Sequence, residues 1–301
     1  MDKPRQRTDY KKVAERPGKK PRPVAAAVPQ GKPGEAKVWI KRFGKNAGKP
    51  SGRAGRSPDE NNGLPDGEVR LYGIHVVRAA LDNAKRKKIK LRATLNALIR
   101  LEIADHTKMP YPIEVVEPRA LDELVGKDAV HQGAVLDCAV LKTRPLKALN
   151  GEPLVLVLDQ VTDPHNVGAL MRSAVAFNVK VFITTMRHSP DETGVMAKAA
   201  SGALEHIEHI TVRNLGEAIE ALNDQGYHTV GLDSEGEDVL ENTFSGKHVA
   251  LVLGAEGKGL RQKTRSLITN LARLDMPGAI RSLNVSNAGA IALYLARKHV
   301  G

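Results

Sequence analysis

A strand that runs directly into a glycine-rich loop limits the fold of this chain more than any other feature. Residues 249–253 form a short apolar run that contains two valines, a pattern typical of a buried strand. Three glycines then surround one carboxylate, since Gly254, Gly257 and Gly259 flank Glu256. Glycine allows backbone angles and close approaches that other residues do not. The sequence therefore predicts a loop against which a ligand lies.

A second loop of the same kind follows. The run 274–276 predicts another short strand, which ends in a Pro-Gly turn. The segment 282–286, Ser-Leu-Asn-Val-Ser, then precedes a helix whose apolar side chains recur at i, i+3, i+4 and i+7 over 288–295. Two strand ends and a helix start predict a ligand cleft at the edge of an α/β sheet. Taken singly, each loop is equally compatible with an ordinary connection.

Strands alternate with helices throughout the C-terminal half, residues 153–301. The sequence predicts strands over 154–158, 179–183, 227–232 and 249–253, and helices ending at 176 and over 192–203 and 215–225. This alternation is typical of the α/β class with a parallel sheet that helices cover on both faces.

A separate small α/β domain is predicted over residues 68–143, joined to the C-terminal domain by a polar linker, 144–152. Its predicted elements are helices over 71–81, 94–103 and around 121–125, and strands starting at 89 and over 113–116 and 134–141. The charge run 85–88 is expected on a solvated face, or as a phosphate contact if a second basic element lies nearby. The phrases YGIH (72–75) and VHQG (130–133) stand out, although a histidine near a strand end is more often structural than catalytic.

Residues 1–66 form a basic tail. They contain 17 Lys and Arg against seven Asp and Glu, a net charge of +10, and nine of the 17 prolines. High charge, low apolar content and frequent proline predict disorder. Trp39 and Phe43, which lie among cations, are candidates for stacking on bases. Because the whole chain has a net charge of +12, a polyanion is the expected partner.

Several common classes of protein lack support in the sequence. The loop after the first C-terminal strand, 159–174, has no G-x-G-x-x-G fingerprint, and there is no P-loop lysine, zinc-type Cys/His spacing or G-x-S-x-G elbow. We therefore expect no metal. No apolar run approaches the roughly 18 residues of a membrane span, and no apolar segment of a secretion signal follows the basic N-terminus. The single cysteine, Cys138, fits a reducing cytoplasm.

Three motifs carry a resemblance to a known family. DPHNVGALMRSA (163–174), LVLGAEGKGL (251–260) and DMPGAIRSLNVSNAGAIAL (275–293) occur in the order found in the SpoU/TrmH class of SPOUT RNA 2′-O-ribose methyltransferases. YGIH and VHQG, together with the extra α/β domain, resemble the subgroup with an L30e-like substrate-binding domain, which includes the bacterial 23S rRNA guanosine-2′-O-methyltransferases. The resemblance covers about 68–301 and leaves the basic tail unaccounted for.

The resemblance implies a fold, a cofactor and an assembly. The C-terminal domain would contain a deep trefoil knot, a rare exception among protein chains. S-adenosylmethionine would lie against the knot loops at Gly254, Leu274 and Leu283, and a side chain at Gly254 is expected to project into the adenosine. The active unit would be a homodimer with its site at the subunit interface. The polar catalytic positions would be Asn166, Arg172, Glu256, Ser282 and Asn284.

The chemistry assigns a role to each of these side chains. A ribose hydroxyl is a weak nucleophile until its proton leaves or its developing charge is stabilised. Arg172, whose guanidinium stays protonated, is expected to stabilise the developing alkoxide. Glu256 would orient Arg172 or Asn166, and Ser282 and Asn284 would fix the hydroxyl.

The implied substrate is a guanosine of 23S rRNA, in free RNA or in a ribosome assembly intermediate. Two alternatives remain at this stage. One is the same reaction on tRNA. The other is a non-catalytic RNA-binding or ribosome-assembly protein built on the same scaffold.

Overall fold

The computed structural model describes residues 63–187 and 192–301. Both ranges belong to one compact unit. The predicted tail lies outside the described residues except for its last four positions, 63–66, and so do Trp39 and Phe43.

A mixed four-stranded sheet forms the first part of the described chain. Its elements in chain order are β1 (Glu68–Tyr72), α1 (Ile74–Asp82), β2 (Lys88–Ala93), α2 (Leu95–Arg100), β3 (Ile113–Val115), α3 (Pro118–Val125) and β4 (Ala134–Ala139). The strand order is β1-β4-β2-β3, in which β4 is antiparallel to β1 and β2, and β3 is parallel to β2. Helix α2 begins where Thr94 accepts a hydrogen bond from the Ala97 N–H, and α3 begins at a proline, so both starts follow from the sequence.

The segment predicted as one helix over 71–81 is instead the end of a strand followed by a helix. Between β1 and α1 lies Gly73, whose φ of 93° is left-handed and cannot continue either element. Val69 and Leu71 are fully buried where β1 pairs with β4. The helical spacing of the apolar residues gave a wrong prediction here, because the first of these residues pair with β4, a strand that is distant in the sequence.

The phrases YGIH and VHQG lie next to each other in the fold. The Gln132 side-chain oxygen accepts from the Ile74 N–H at 3.2 Å, which satisfies the first turn of α1. The His131 Nδ1 accepts from the Gly133 N–H at 3.0 Å, so its proton is on Nε2, 3.0 Å from the Asp122 carboxylate. His131 therefore holds the loop between α3 and β4 together.

A seven-stranded parallel sheet forms the rest of the chain. Its elements are β5 (Leu154–Asp159), α4 (Pro164–Ala176), β6 (Val181–Thr185), α5 (Gly194–Ala200), β7 (Glu208–Val212), α6 (Leu215–Asp224), β8 (His228–Leu232), β9 (Asp238–Val239), β10 (Val249–Gly254), α7 (Gln262–Leu267), β11 (Asn270–Arg273) and α8 (Val285–Val300). The strand order is β7-β6-β5-β10-β8-β11-β9, and neighbouring strands pair in parallel. The predicted α/β class with a parallel sheet is confirmed.

Side chains of the central strands alternate between two apolar cores. On β5, Leu154, Leu156 and Leu158 join the core that contains α4 and α8, whereas Val155 and Val157 join the core that contains α6. Each fully buried side chain of this size contributes roughly 1.5–3 kcal/mol of transfer free energy. Burial on both faces explains why the strands are continuous apolar runs in the sequence.

The strand predicted over 274–276 is wrong. The pairing of β11 with β8 ends at Ala272, and its pairing with β9 ends one residue later, where Arg273 pairs with Val239, the last residue of β9. Strand β11 therefore ends at Arg273. Residues 274–284 form an irregular segment that leads into α8. Strand β7 and helix α7 were not predicted at all.

The two sheets meet at a buried arginine that the sequence placed on a solvated face. Within the charge run 85–88, the Arg86 side chain is fully buried. Its guanidinium donates to the carboxylates of Glu205 and Glu192, each at 2.5 Å, and to the carbonyl of Ala139 at 2.9 Å. A buried charge without such partners would be strongly unfavourable, so these contacts fix the position of this residue.

The predicted polar linker, 144–152, is also tied to the parallel sheet. Arg144 forms ion pairs with Glu152 and, at 2.7 Å, with Glu208 of β7. The connection between the two sheets is therefore held at a defined place on β7.

We expect the stability of this fold to fall below pH 6.5 partly because of His209. Its ring packs on Phe182 and lies 2.8 Å from the Thr184 hydroxyl, and burial lowers the pKa of His209 to about 4. Between pH 6.5 and 4 the unfolded histidine binds a proton that the folded one does not, so unfolding becomes easier as the pH falls. Urea unfolding should show a loss on the order of 1–2 kcal/mol between pH 7.5 and 5 that His209→Gln lacks. An equal loss in the variant would assign the pH dependence to other groups.

Candidate active site

The candidate site lies at the carboxyl edge of the parallel sheet. Strands β5, β10 and β8 end side by side, since Gly254 pairs with Asp159 and Leu253 with Leu232. Glu256 lies in the loop after β10, and Leu274, Ser282, Leu283 and Asn284 lie in the segment after the neighbouring strand β11. Ligand sites at the carboxyl ends of parallel strands are expected to be built in this way.

A cavity of about 360 Å³ lies between these loops and the start of α8. It is lined by Leu232, Asp233, Ser234, Leu253, Gly254, Ala255, Glu256, Gly257, Gly259, Leu274, Met276, Arg281, Ser282, Leu283, Val285 and Ala288. The three residues predicted to contact the cofactor, Gly254, Leu274 and Leu283, all line this one cavity, together with Glu256 and Ser282. The structure thus brings five of the eight predicted site residues around one space.

Asn284 links the two motif loops. Its amide nitrogen donates to the Glu256 carboxylate at 3.2 Å, and its side-chain oxygen accepts from the Ser286 N–H at 2.9 Å. The second bond caps α8, so the start of that helix fixes the orientation of Asn284. Glu256 is therefore held on one side by the helix start and faces the cavity with the rest of its carboxylate.

A second cavity of about 390 Å³ adjoins the first and shares with it Ala255, Glu256 and Val285. Asn166, in the first turn of α4, lines this second cavity. Among residues 63–187 and 192–301, Asn166 makes no side-chain hydrogen bond.

Arg172 lies apart from the other predicted site residues. Arg172 is exposed on α4 and lines neither cavity. Within the described ranges, its guanidinium forms no ion pair or hydrogen bond. Six helical residues turn through roughly 600°, which leaves Arg172 and Asn166 roughly 120° apart around the axis. Within a single chain, Arg172 therefore does not reach either cavity.

The expectation that a side chain at Gly254 would project into the adenosine is wrong. An added Cβ would lie 2.2 Å from the carbonyl carbon of Gly259 and 2.4 Å from the nitrogen of Leu260. Gly254 therefore allows its own loop to fold back on the strand end, where Ala255 and Gly259 exchange backbone hydrogen bonds at 3.2 and 2.8 Å.

Sequence reasoning missed two buried carboxylates that hold the loops. Asp159, at the end of β5, accepts from Nε of Arg261 at 2.7 Å and from its backbone N–H at 3.1 Å. Asp233, after β8, pairs with Arg265 at 3.0 Å and lines the first cavity. Asp159 is the last residue of β5 and Asp233 directly follows β8, so a carboxylate at the end of a predicted strand is the signal that could have identified both.

Two negative findings apply to the described residues. In 63–187 and 192–301, no three or more His, Cys, Asp or Glu side chains are grouped so that they could hold a metal ion. The helices in the same ranges are too short or too polar to cross a bilayer.

Two family models match this chain. Residues 153–294 match the SpoU rRNA methylase family, and residues 70–143 match the substrate-binding domain of RNA 2′-O-ribose methyltransferases. The chain is also 34% identical, over 247 residues, to the 23S rRNA (guanosine-2′-O-)-methyltransferase RlmB of Vibrio cholerae, with 74% of this chain and 94% of that protein covered. The chain belongs to the SpoU rRNA methylase family. The family predicted from the three motifs is confirmed, and with it the reaction class of methyl transfer to RNA.

Other relatives agree. The protein of the same name from Ralstonia nicotianae is 36% identical over 234 residues, with 74% of this chain and 93% of that protein covered. Among solved structures, the SpoU methyltransferase AviRb from Streptomyces viridochromogenes, in complex with AdoMet, superposes with a TM-score of 0.66 at 21% identity over 77% of this chain and 90% of its own. An AdoMet-bound rRNA methyltransferase from Sinorhizobium meliloti gives 0.67 at 22% identity over 78% and 88%. At these identities the structures establish a shared fold.

Proposed function

We propose that this chain transfers a methyl group from S-adenosylmethionine to the ribose 2′-hydroxyl of a guanosine in 23S rRNA. The family membership supports the reaction class, and the relatives that are 34–36% identical over 93–94% of their own length are named for this reaction. The observation that carries the proposal is the pair of adjoining cavities. One suits a cofactor, the other suits an acceptor nucleoside, and Glu256 lies on the wall between them.

The first cavity suits S-adenosylmethionine. Leu274, Leu283 and Val285 offer apolar surface for an adenine ring, and Gly257, where an added Cβ would meet no protein atom within 4 Å, keeps a side chain out of the loop that a cofactor would contact. Asp233 and Glu256 both line this cavity, and Glu256, whose carboxylate has no ion-pair partner among the described residues, suits a positively charged ligand. When bound, the cofactor supplies an electrophilic methyl group.

The protein residues then position and activate the ribose hydroxyl. Glu256, fixed by Asn284, faces both cavities and is suited to orient the hydroxyl or the Asn166 amide. Ser282 adds a hydroxyl on the cofactor side. Arg172 is assigned to stabilise the alkoxide that develops on the ribose, because a guanidinium keeps its charge at any physiological pH.

The separation of Arg172 from the cavities supports a shared site in a homodimer. Helix α8 exposes Ile291 and Tyr294, which are 44% and 49% accessible, and Tyr294 packs against Phe177 just after α4. Exposed apolar side chains beside α4 suit an interface with a second copy. In this arrangement, Arg172 of the partner subunit completes the site that contains Asn284.

Mixed dimers test the shared site. Arg172→Ala and Asn284→Ala chains should each be inactive alone, and their mixture should recover activity, because one site of the mixed dimer retains both native residues. We expect roughly a quarter of the wild-type rate if chains mix at random and one site of each mixed dimer is intact. The measurement is methyl transfer after co-refolding, with light scattering to verify the dimer. A fully active monomer, or no recovery in a verified mixed dimer, would contradict the arrangement.

Further parts of the proposal rest on the family resemblance. We propose that the C-terminal loops form the trefoil knot, that 68–143 is the L30e-like substrate-binding domain, and that 144–152 and 153–301 are the linker and the methyltransferase domain. The close backbone packing at Gly254 and at Gly236, where an added Cβ would lie 2.6 Å from the Ala272 backbone, suits tightly threaded loops. The basic tail, 1–66, is proposed to bind RNA through its net charge of +10. An rRNA substrate suits a cytoplasmic location.

Methyl transfer from tritiated S-adenosylmethionine tests the function. The full chain is incubated with 23S rRNA lacking the modification and, separately, with unmodified tRNA, and the methylated ribose is mapped. We expect incorporation at a single guanosine of 23S rRNA. Incorporation only into tRNA would move the substrate to the other RNA class, and binding of 23S rRNA without incorporation would favour the non-catalytic alternative.

A further inference from the structure

The second cavity has polar side chains that the structure leaves without partners. The volume of this cavity, about 390 Å³, is typical of a site that binds a small molecule. Gln160, Asn166 and Lys258 all line it, and within residues 63–187 and 192–301 none of the three side chains forms a hydrogen bond or an ion pair. Asp163 also lines it, but its carboxylate is engaged in capping α4 through the His165 N–H at 3.1 Å.

Gln160 is held in an unusual backbone conformation at this place. It follows the last residue of β5, and its φ of 60° lies in the left-handed region, which is unfavourable for a residue with a side chain. The conformation is imposed from both sides. Asp159 is buried and bonded to Arg261, and Val161 is buried in the core. A strained backbone that carries a half-buried, unpaired amide into a cavity is the pattern expected of a binding residue.

The geometry of the two cavities limits what the second one can hold. A methyl donor in the first cavity requires the acceptor hydroxyl near the shared wall at Glu256. The rest of the acceptor nucleoside must then extend away from that wall, into the space lined by Gln160 and Lys258. These two side chains are therefore placed toward the base and not toward the reacting hydroxyl.

Resting on the proposed function, we infer that Gln160 and Lys258 select the acceptor base by its hydrogen-bonding edge. The Lys258 ammonium only donates and suits O6 of guanine, and the Gln160 side-chain oxygen suits the adjacent N1–H. Adenine presents an amino donor where guanine has O6, so it faces the ammonium with the wrong polarity. Hypoxanthine keeps both O6 and N1–H, so inosine should be accepted like guanosine.

The test uses the full-length protein and synthetic RNA fragments that carry guanosine, inosine or adenosine at the mapped position. We expect the wild type to use guanosine and inosine within about threefold of each other and adenosine at least about 100-fold less well, since two hydrogen bonds differ. Lys258→Met should lower kcat/KM for guanosine about tenfold or more and reduce the preference over adenosine to less than about tenfold.

Gln160 needs a variant that removes the amide without adding backbone strain. Gln160→Gly does so, because glycine accepts a φ of 60° freely, and it should melt no earlier than the wild type. We expect it to lower kcat/KM for guanosine and inosine about tenfold, with the S-adenosylmethionine affinity within twofold. Gln160→Asn, which keeps an amide and tolerates the left-handed region, should retain more activity than Gln160→Gly.

Several results would overturn the inference. Unchanged kcat/KM and base preference in both Gln160→Gly and Lys258→Met would show that neither residue reads the base. Loss of S-adenosylmethionine binding in Gln160→Gly would assign the second cavity to the cofactor. A wild-type protein that binds S-adenosylmethionine but methylates no RNA would refute the proposed function itself, an outcome visible before any variant is compared.

Discussion

Arg172→Ala is expected to lower the rate of methyl transfer by at least about 10³-fold while the affinity for S-adenosylmethionine changes by no more than a few fold. The guanidinium is assigned to the charge that develops on the ribose oxygen, which exists only in the transition state. In the described chain Arg172 does not line the cofactor cavity, so its removal leaves that cavity intact. Single-turnover methyl transfer and calorimetric titration of the cofactor measure the two effects separately.

Two further variants distinguish this role from general attraction of RNA. Arg172→Lys keeps the charge but loses the planar donor fork, and it should still lose most of the activity. Arg213→Ala is the matched control, because Arg213 is also exposed and has no ion pair among the described residues, but follows β7 at the edge of the sheet. If Arg172→Ala and Arg213→Ala lower activity equally, Arg172 serves only as surface charge.

The sequence predicted most of the parallel sheet because its strands are buried on both faces. Runs such as 154–158 and 249–253 contain no polar residue, and short apolar runs between helical segments favour one fold class strongly. The predictions failed where an element depends on a distant partner. The end of β11 is set by the end of β9, whose Val239 pairs with Arg273, and the segment around Val69 is a strand because β4 pairs with it.

The charge run 85–88 shows a second limit. Nothing local distinguishes Arg86 from the lysines beside it, yet Arg86 is fully buried between the sheets. Its carboxylate partners, Glu192 and Glu205, lie more than 100 positions away in the sequence. Arginine suits such a place better than lysine, because its fork binds several acceptors at once.

The sequence predicted the part of the candidate site that lies in the motif loops. Motif resemblance identified Gly254, Leu274 and Leu283, which line one cavity, but not Asp233 or Gln160 in the neighbouring loops. A left-handed φ at a glutamine leaves no trace in a single sequence. The sequence also does not show whether a glycine is needed to leave space for a ligand or to allow close packing of its own backbone. The structure of the loop shows which of the two applies.

That distinction gives Gly254→Ala a large expected effect on stability. The new Cβ would lie within 2.4 Å of three backbone atoms of Gly259 and Leu260, and backbone cannot move aside as a flexible side chain can. We expect the free energy of unfolding to fall by about 3 kcal/mol or more, in the upper range for overpacking. The melting temperature should then fall by roughly 6–12 °C, with a parallel loss of S-adenosylmethionine affinity as the loop is displaced.

Gly257→Ala is the control in the same loop. Gly257 has a φ of 76°, but an added Cβ would meet no atom within 4 Å, so the substitution adds backbone strain alone, about 1–2 kcal/mol. Gly254 has no left-handed φ, so a fall in melting temperature that is larger for Gly254→Ala than for Gly257→Ala reports the contact with Gly259 and Leu260 and not backbone strain. If Gly254→Ala instead melts like the wild type and loses only cofactor affinity, Gly254 makes room for the ligand, and the folding back of the loop is not what requires a glycine there.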